Sequence, residues 1–162
     1  MTPELLAQAE ALIRRLTAAG KMVATAESCT GGLVAALLTE IPGSSAVVER
    51  GFVTYSNEAK SELVFVPPDL IAAHGAVSRE VAAAMAEGAI RASRADFAVA
   101  ITGVAGPGGG TAQKRGGLVH FAAASRDGAR LHRERRFGDL GRAEIRRLSV
   151  EEALHLLDAI SA

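Results

Sequence analysis

The sequence predicts an α/β fold. It is a three-layer α/β/α sandwich, one domain over residues 1–162, on a mixed sheet that contains an antiparallel hairpin. Three observations predict it. Helical periodicities and short strand-like runs intermix along the whole chain. Residues 97–102 are an uninterrupted apolar run, the pattern of a strand covered on both faces. Residues 118–124 and 131–137 flank Ser125-Arg126-Asp127-Gly128, which reads as a hairpin turn.

The elements follow in order. Thr2 can cap a helix with Pro3 at its first position; Leu5, Ala9, Leu12, Ile13 and Leu16 repeat at helical spacing, and Gly20 ends it. Residues 22–25 are a short strand leading to Ser28. Residues 29–39 read as a helix, broken by Pro42 and Gly43. Residues 47–55 form a strand, and Asn57 can cap a short helix to 63. Pro67-Pro68 reads as a loop. Ser78 caps a helix to about 93, with Val81, Met85, Ala89 and Ile90 on one face. Residues 103–117, with seven glycines, are a long loop, and the last helix spans 142–160.

Composition narrows the class. The chain is 49% hydrophobic and 22% charged, which is globular rather than disordered. Aromatic residues are 4% and Trp is absent, so small and aliphatic side chains must fill the core. The net charge of zero argues against nucleic acid as a partner. Arg133, Arg135 and Arg136 alternate with other residues as on the solvated face of a strand. The single cysteine, Cys29, excludes an internal disulfide and a cysteine-cluster zinc site. His74, His120, His132 and His155 form no ligand-spaced pair, so no metal is expected. No apolar run approaches the ~20 residues needed to span a bilayer. The start, Met1-Thr2-Pro3-Glu4, is not a secretory signal, so the expected location is the cytoplasm.

Three segments could carry chemistry. In Thr25-Ala26-Glu27-Ser28-Cys29-Thr30-Gly31-Gly32 a strand ends, a hydroxyl appears and a glycine-bearing helix start follows. Free N–H groups there can bind phosphate or an oxyanion. Ser28 is either a nucleophile or simply the helix cap. Cys29 is the rival nucleophile, or a small buried hydrophobe. The second segment, Thr54-Tyr55-Ser56-Asn57-Glu58-Ala59-Lys60, offers a phenol and an amine. Lysine can replace histidine as the base of a serine hydrolase when burial depresses its pKa; arginine cannot. The alternative is a surface lysine. The third, Ile101-Thr102-Gly103-Val104-Ala105-Gly106-Pro107-Gly108-Gly109-Gly110-Thr111, follows the buried strand and is either a ligand cradle or a mobile loop. It is neither a Walker loop nor a Gly-x-Gly-x-x-Gly turn.

Together with Gly51-Phe52-Val53-Thr54-Tyr55-Ser56-Asn57 and Gly75-Ala76-Val77-Ser78, these segments resemble the C-terminal domain of the competence/damage-inducible protein CinA. Stand-alone members of that family are nicotinamide-nucleotide amidohydrolases. The larger members carry an additional N-terminal domain. The resemblance implies hydrolysis of nicotinamide mononucleotide to nicotinate mononucleotide and ammonia, without a cofactor, by a cytoplasmic homodimer. It implies Ser28 as nucleophile, assisted by Tyr55 and Lys60. It implies substrate contacts at Thr30, Gly31, Thr102, Gly103, Gly106, Gly108 and Arg142, with Arg142 and the glycine loop on the phosphate. Two departures stand out. The loop continues Gln113-Lys114-Arg115-Gly116-Gly117 where the family usually has Lys-Pro-Val-Gly. Gly138-Asp139-Leu140-Gly141-Arg142 replaces the family's Gly-Asp-Arg.

Overall fold

The computed structural model describes residues 1–162. Five strands, β1 (Val23–Glu27), β2 (Val48–Val53), β3 (Phe97–Gly103), β4 (Leu118–Ser125) and β5 (Arg130–Arg136), form one sheet in the order β2-β1-β3-β4-β5. The first three pair in parallel; β4 and β5 are antiparallel to their neighbours. The hairpin turn closes with Gly128 N donating to the Ser125 carbonyl at 3.0 Å.

Helices α1 (Pro3–Ala19), α2 (Leu33–Thr39) and α6 (Arg142–Ile160) cover one face. Their leucines and isoleucines pack on Val99, Ile101, Val119 and Phe121 of the sheet. Each fully buried Leu or Ile contributes about 1.5–3 kcal/mol. The other face carries α3 (Asn57–Val64), α4 (Pro68–His74) and α5 (Arg79–Arg91). Here the sheet presents Ala24, Ala26, Ala98, Ala100, Ala122 and Ala124. Without larger side chains between them, sheet and α5 approach closely. In turn α5 lies against the end of α3 at Gly88, where a Cβ would overlap the Val64 carbonyl. This contact sets the position of α3, which carries Lys60.

Several ends match their sequence signals. Thr2 Oγ1 accepts from Leu5 N at 3.2 Å, Gly20 closes α1 with φ 68°, and Ser78 Oγ accepts from Val81 N at 3.2 Å. Three expectations are corrected. The helix expected from 29 begins only at Leu33, because Gly31 (φ 59°) and Gly32 (φ 106°) place left-handed backbone before it. The cap of α3 is Ser56 rather than Asn57, with Ser56 Oγ accepting from Ala59 N at 3.0 Å. Pro67-Pro68 is not only a loop: Pro68 occupies the first turn of α4, where its missing N–H costs nothing.

Strand order reverses between β1 and β3. The first crossover goes to β2 on one side, and the next returns to β3 on the other. In open α/β sheets the crevice outside the carboxyl ends of such strands is where ligands sit. Ser28 follows β1 there, and the glycine-rich loop follows β3.

Candidate active site

Ser28 is held by its backbone on both sides. Its N–H donates to the Ile101 carbonyl at 2.9 Å, extending the pairing with β3, while Thr54 N donates to the Glu27 carbonyl at 2.8 Å. Only 8% of Ser28 is exposed. It does not cap α2. That task falls to the buried Glu27 carboxylate, which accepts from Val34 N at 2.9 Å, Ala35 N at 3.0 Å and Thr30 Oγ1 at 2.6 Å. The Ser28 hydroxyl is thereby left free of structural duty at the helix start.

Lys60 Nζ lies 3.1 Å from Ser28 Oγ. It also lies 3.3 Å from the Tyr55 carbonyl and 3.5 Å from the Ser56 carbonyl. The side chain is buried, with 1% exposed, and has no carboxylate partner within ion-pair distance. Burial lowers its pKa from the usual 10.5, against smaller upward pulls from Cys29 and Glu58. Burial without a carboxylate beside it shifts this amine toward its neutral form. Cys29 is the opposite case: burial pushes its thiol up to about 11, away from the thiolate that a nucleophile needs.

Tyr55 is placed otherwise. Its carbonyl faces Lys60, but its ring is 61% exposed and its hydroxyl accepts from Arg142 Nη2 at 3.1 Å. The phenol bonds neither Ser28 nor Lys60. Arg142, at the first position of α6, also donates through Nη1 to the Gly106 carbonyl at 3.1 Å, so it bridges Tyr55 and the glycine loop. Gly141 caps α6 without any side-chain bond to its first amides, which remain a place for an anion.

Thr102 is buried and donates to the Ala76 carbonyl at 2.8 Å, docking the segment before α5 onto the end of β3. Gly103 packs so closely on Val119 that a Cβ would come 2.7 Å from it. Thr30 is buried with its hydroxyl on Glu27, and Gly31 N donates to the Ser28 carbonyl at 3.0 Å. Gly106 and Gly108 line a cleft of about 480 Å³ together with Arg115, Arg136, Gly138 and Asp139. Ser28 and Lys60 lie outside the lining of that cleft. The structure thus joins Ser28 to Lys60 directly, and joins Tyr55, Arg142 and Gly106 into a second group beside them.

Two residues hold the site in roles that the sequence reading did not give them. Glu27 builds the turn after Ser28. Arg146 reaches it from α6, with Nε 3.2 Å from the Cys29 carbonyl and Nη2 3.4 Å from the Thr30 carbonyl. The available signal was its place four residues after Arg142, on the same helix face. The histidines also differ from expectation: far apart in sequence, His120 Nδ1 and His132 Nε2 meet at 3.0 Å across β4 and β5. No three His, Cys, Asp or Glu side chains gather as metal ligands, and no helix is long and apolar enough to cross a membrane.

Fold and site together define a class: an α/β/α protein with a buried serine–lysine pair at a strand's carboxyl end. The model of the CinA C-terminal domain matches residues 6–160, and the chain belongs to that family. It is 50% identical over 155 residues to the Escherichia coli K12 protein named nicotinamide-nucleotide amidohydrolase PncC, covering 95% of this chain and 93% of that one. It is 51% identical over 146 residues to a CinA-like protein of Anaeromyxobacter dehalogenans, covering 90% of this chain. The chain spans only 35% of that relative's length. Among solved structures, the competence/damage inducible protein CihA from Agrobacterium tumefaciens superimposes with a TM-score of 0.98 at 53% identity, covering 100% of this chain and 98% of that one.

Proposed function

We propose that this protein is an amidohydrolase that converts nicotinamide mononucleotide and water to nicotinate mononucleotide and ammonia, with Ser28 as nucleophile and Lys60 as base. The observation that carries the reading is the 3.1 Å approach of a buried, unpaired Lys60 amine to Ser28 Oγ. The name of the Escherichia coli relative, matched over nearly its whole length, supports the substrate.

The chemistry runs in two halves. Neutral Lys60 takes the Ser28 proton as Oγ attacks the carboxamide carbon. The tetrahedral oxyanion is met by backbone N–H groups of the turn after Ser28. Lys60 returns its proton to the nitrogen, the C–N bond breaks, and ammonia leaves an acyl ester on Ser28. Water, deprotonated by Lys60, then attacks the ester; the acid leaves and Ser28 regains its proton. Tyr55 and Arg142 line the approach. Arg142, the Gly106–Gly108 loop and the free amides of α6 bind the phosphate. On this reading Thr102 and Gly103 shape the floor of the site. The reading also carries the family's expectation of a cytoplasmic homodimer, read out as twice the chain mass in sedimentation.

Ammonia release from nicotinamide mononucleotide by the purified protein is the test. Ser28→Ala removes turnover and Cys29→Ala retains it. Loss in the second variant with survival of the first overturns the nucleophile assignment, and no ammonia from the wild-type protein overturns the function.

A further inference from the structure

Arg146 is the second arginine on the α6 face that looks toward the site, one turn beyond Arg142. It makes no ion pair, although α6 and its neighbours offer several carboxylates that pair with other arginines. Its guanidinium goes instead to two consecutive carbonyls of the turn after Ser28, those of Cys29 and Thr30. An unpaired arginine spent on two main-chain oxygens is an expensive way to stabilise a surface turn. It is an effective way to orient peptide planes.

The planes in question matter. In a trans peptide the C=O and N–H point in opposite directions. The Cys29 carbonyl shares its plane with the Thr30 N–H, and the Thr30 carbonyl shares its plane with the Gly31 N–H. The Gly31 N–H is already occupied by the Ser28 carbonyl at 3.0 Å. The Thr30 N–H has no acceptor within the chain. With the Cys29 oxygen drawn to Arg146, that N–H faces away from α6. Glu27 holds the same turn from below through the Thr30 hydroxyl, at 2.6 Å, so the plane is gripped at both ends. Gly31 supplies the left-handed backbone of the turn, with φ 59°, and lies against the guanidinium: a Cβ there would meet Arg146 Nη2 at an ordinary contact distance of 3.5 Å.

We propose that Arg146 is a positioning residue for the amidase site: by holding the Cys29 and Thr30 carbonyls it presents the Thr30 N–H as the oxyanion donor. It touches neither the substrate nor the reacting atoms. Its charge also polarises the Cys29–Thr30 peptide, making that N–H a stronger donor. The inference rests on the proposed amide hydrolysis.

The experiment compares Arg146→Lys and Arg146→Ala with wild type in steady-state ammonia release from nicotinamide mononucleotide, alongside thermal unfolding. A lysine keeps the charge but cannot span two carbonyls with a planar fork. Loss of an oriented oxyanion donor lowers kcat by about 100-fold in Arg146→Ala while KM stays within about 2-fold. Arg146→Lys falls between Arg146→Ala and wild type. Added guanidinium ion at millimolar concentration restores part of the Arg146→Ala rate and none of the Arg146→Lys rate. A merely structural arginine predicts a lowered Tm with kcat kept, or loss without guanidinium rescue; either result overturns the proposal. If Arg146→Ala does not fold, kcat of Arg146→Lys equal to wild type overturns it. An inactive wild-type protein defeats the proposed function itself, whereas active wild type with undiminished variants defeats this inference alone.

Discussion

Two segments leave the same end of the sheet, one after β1 and one after β3, and they are held in opposite ways. The turn at residues 28–32 is gripped by a buried carboxylate, by Arg146 and by pairing on both sides of its strand. The loop at residues 104–117 is mostly exposed and holds itself by a few bonds of its own, such as Thr111 N to the Lys114 carbonyl at 2.8 Å. Its side-chain ties to the rest of the molecule are the Lys114 ammonium on the His74 carbonyl and Arg142 on the Gly106 carbonyl. On the proposed reading the difference separates two tasks. A nucleophile and its oxyanion donors need fixed geometry before the substrate arrives. A cradle for a phosphorylated ligand gains from backbone that can close around it.

The largest effect is expected on the rigid side. Lys60→Arg replaces a neutral amine with a permanent cation and removes the proton acceptor, so turnover per folded molecule should fall by about 10⁴-fold or more. Near-normal ammonia release in that variant sinks the lysine base. The wild-type pH profile checks the same point. Because burial lowers the Lys60 pKa, the amine becomes neutral at a pH below 10.5, and kcat/KM should rise with pH along one limb with its midpoint below that value. The same shift penalises folding in full below the lowered pKa, where the folded chain must carry the buried charge; stability then rises with pH from the lowered pKa up to 10.5, because in that window the unfolded chain still binds a proton that the folded chain has released.

Next is Glu27→Gln. One acceptor oxygen becomes a donor facing the α2 amides, which should cost about 2–3 kcal/mol of stability, read by denaturant unfolding. Unchanged stability would mean the turn is held by its other bonds. On the softer side, Arg142→Ala should raise KM by about 10–100-fold, the worth of charge-assisted bonds to a phosphate, with Tm little altered because the side chain is exposed. A loss confined to kcat would instead place Arg142 at the reacting centre. The smallest effect belongs to Gly108→Ala. Its φ of 74° disfavours any side chain by about 1–2 kcal/mol, and nothing else lies within 4 Å to clash. A few-fold rise in KM is expected; a collapse in kcat would show that the loop is as tightly built as the turn.

The outline of the fold was open to reading because its signals are local. Thr2, Pro3 and Gly20 around α1, Ser78 before α5, the apolar run of β3 and the hairpin turn each act over a few neighbouring residues. Where the residues alone left a choice open, the deciding contacts are mostly distant in sequence. By its residues alone Ser28 could be a nucleophile or a helix cap; the capping carboxylate comes from Glu27, eight residues before one of the amides that donate to it. Asn57 yielded to Ser56 by one position, within the ordinary ambiguity of cap assignment. Lys60 could be a base or a surface lysine, since nothing near it in sequence shows that α5 will pack against the end of α3 at Gly88.

By itself the sequence determined the α/β/α class, the two glycine-bearing strand ends and the presence of a serine, a phenol and a lysine at their edges. Periodicity, turn chemistry and residue type are properties of short stretches of chain. Only the tertiary structure decided that Lys60 is buried 3.1 Å from Ser28, that the Tyr55 hydroxyl turns to Arg142, and that Arg146 holds the turn between them. Those relations cross 32, 87 and 117 residues of sequence, and long-range packing of α3 and α6 against one sheet is what closes such distances.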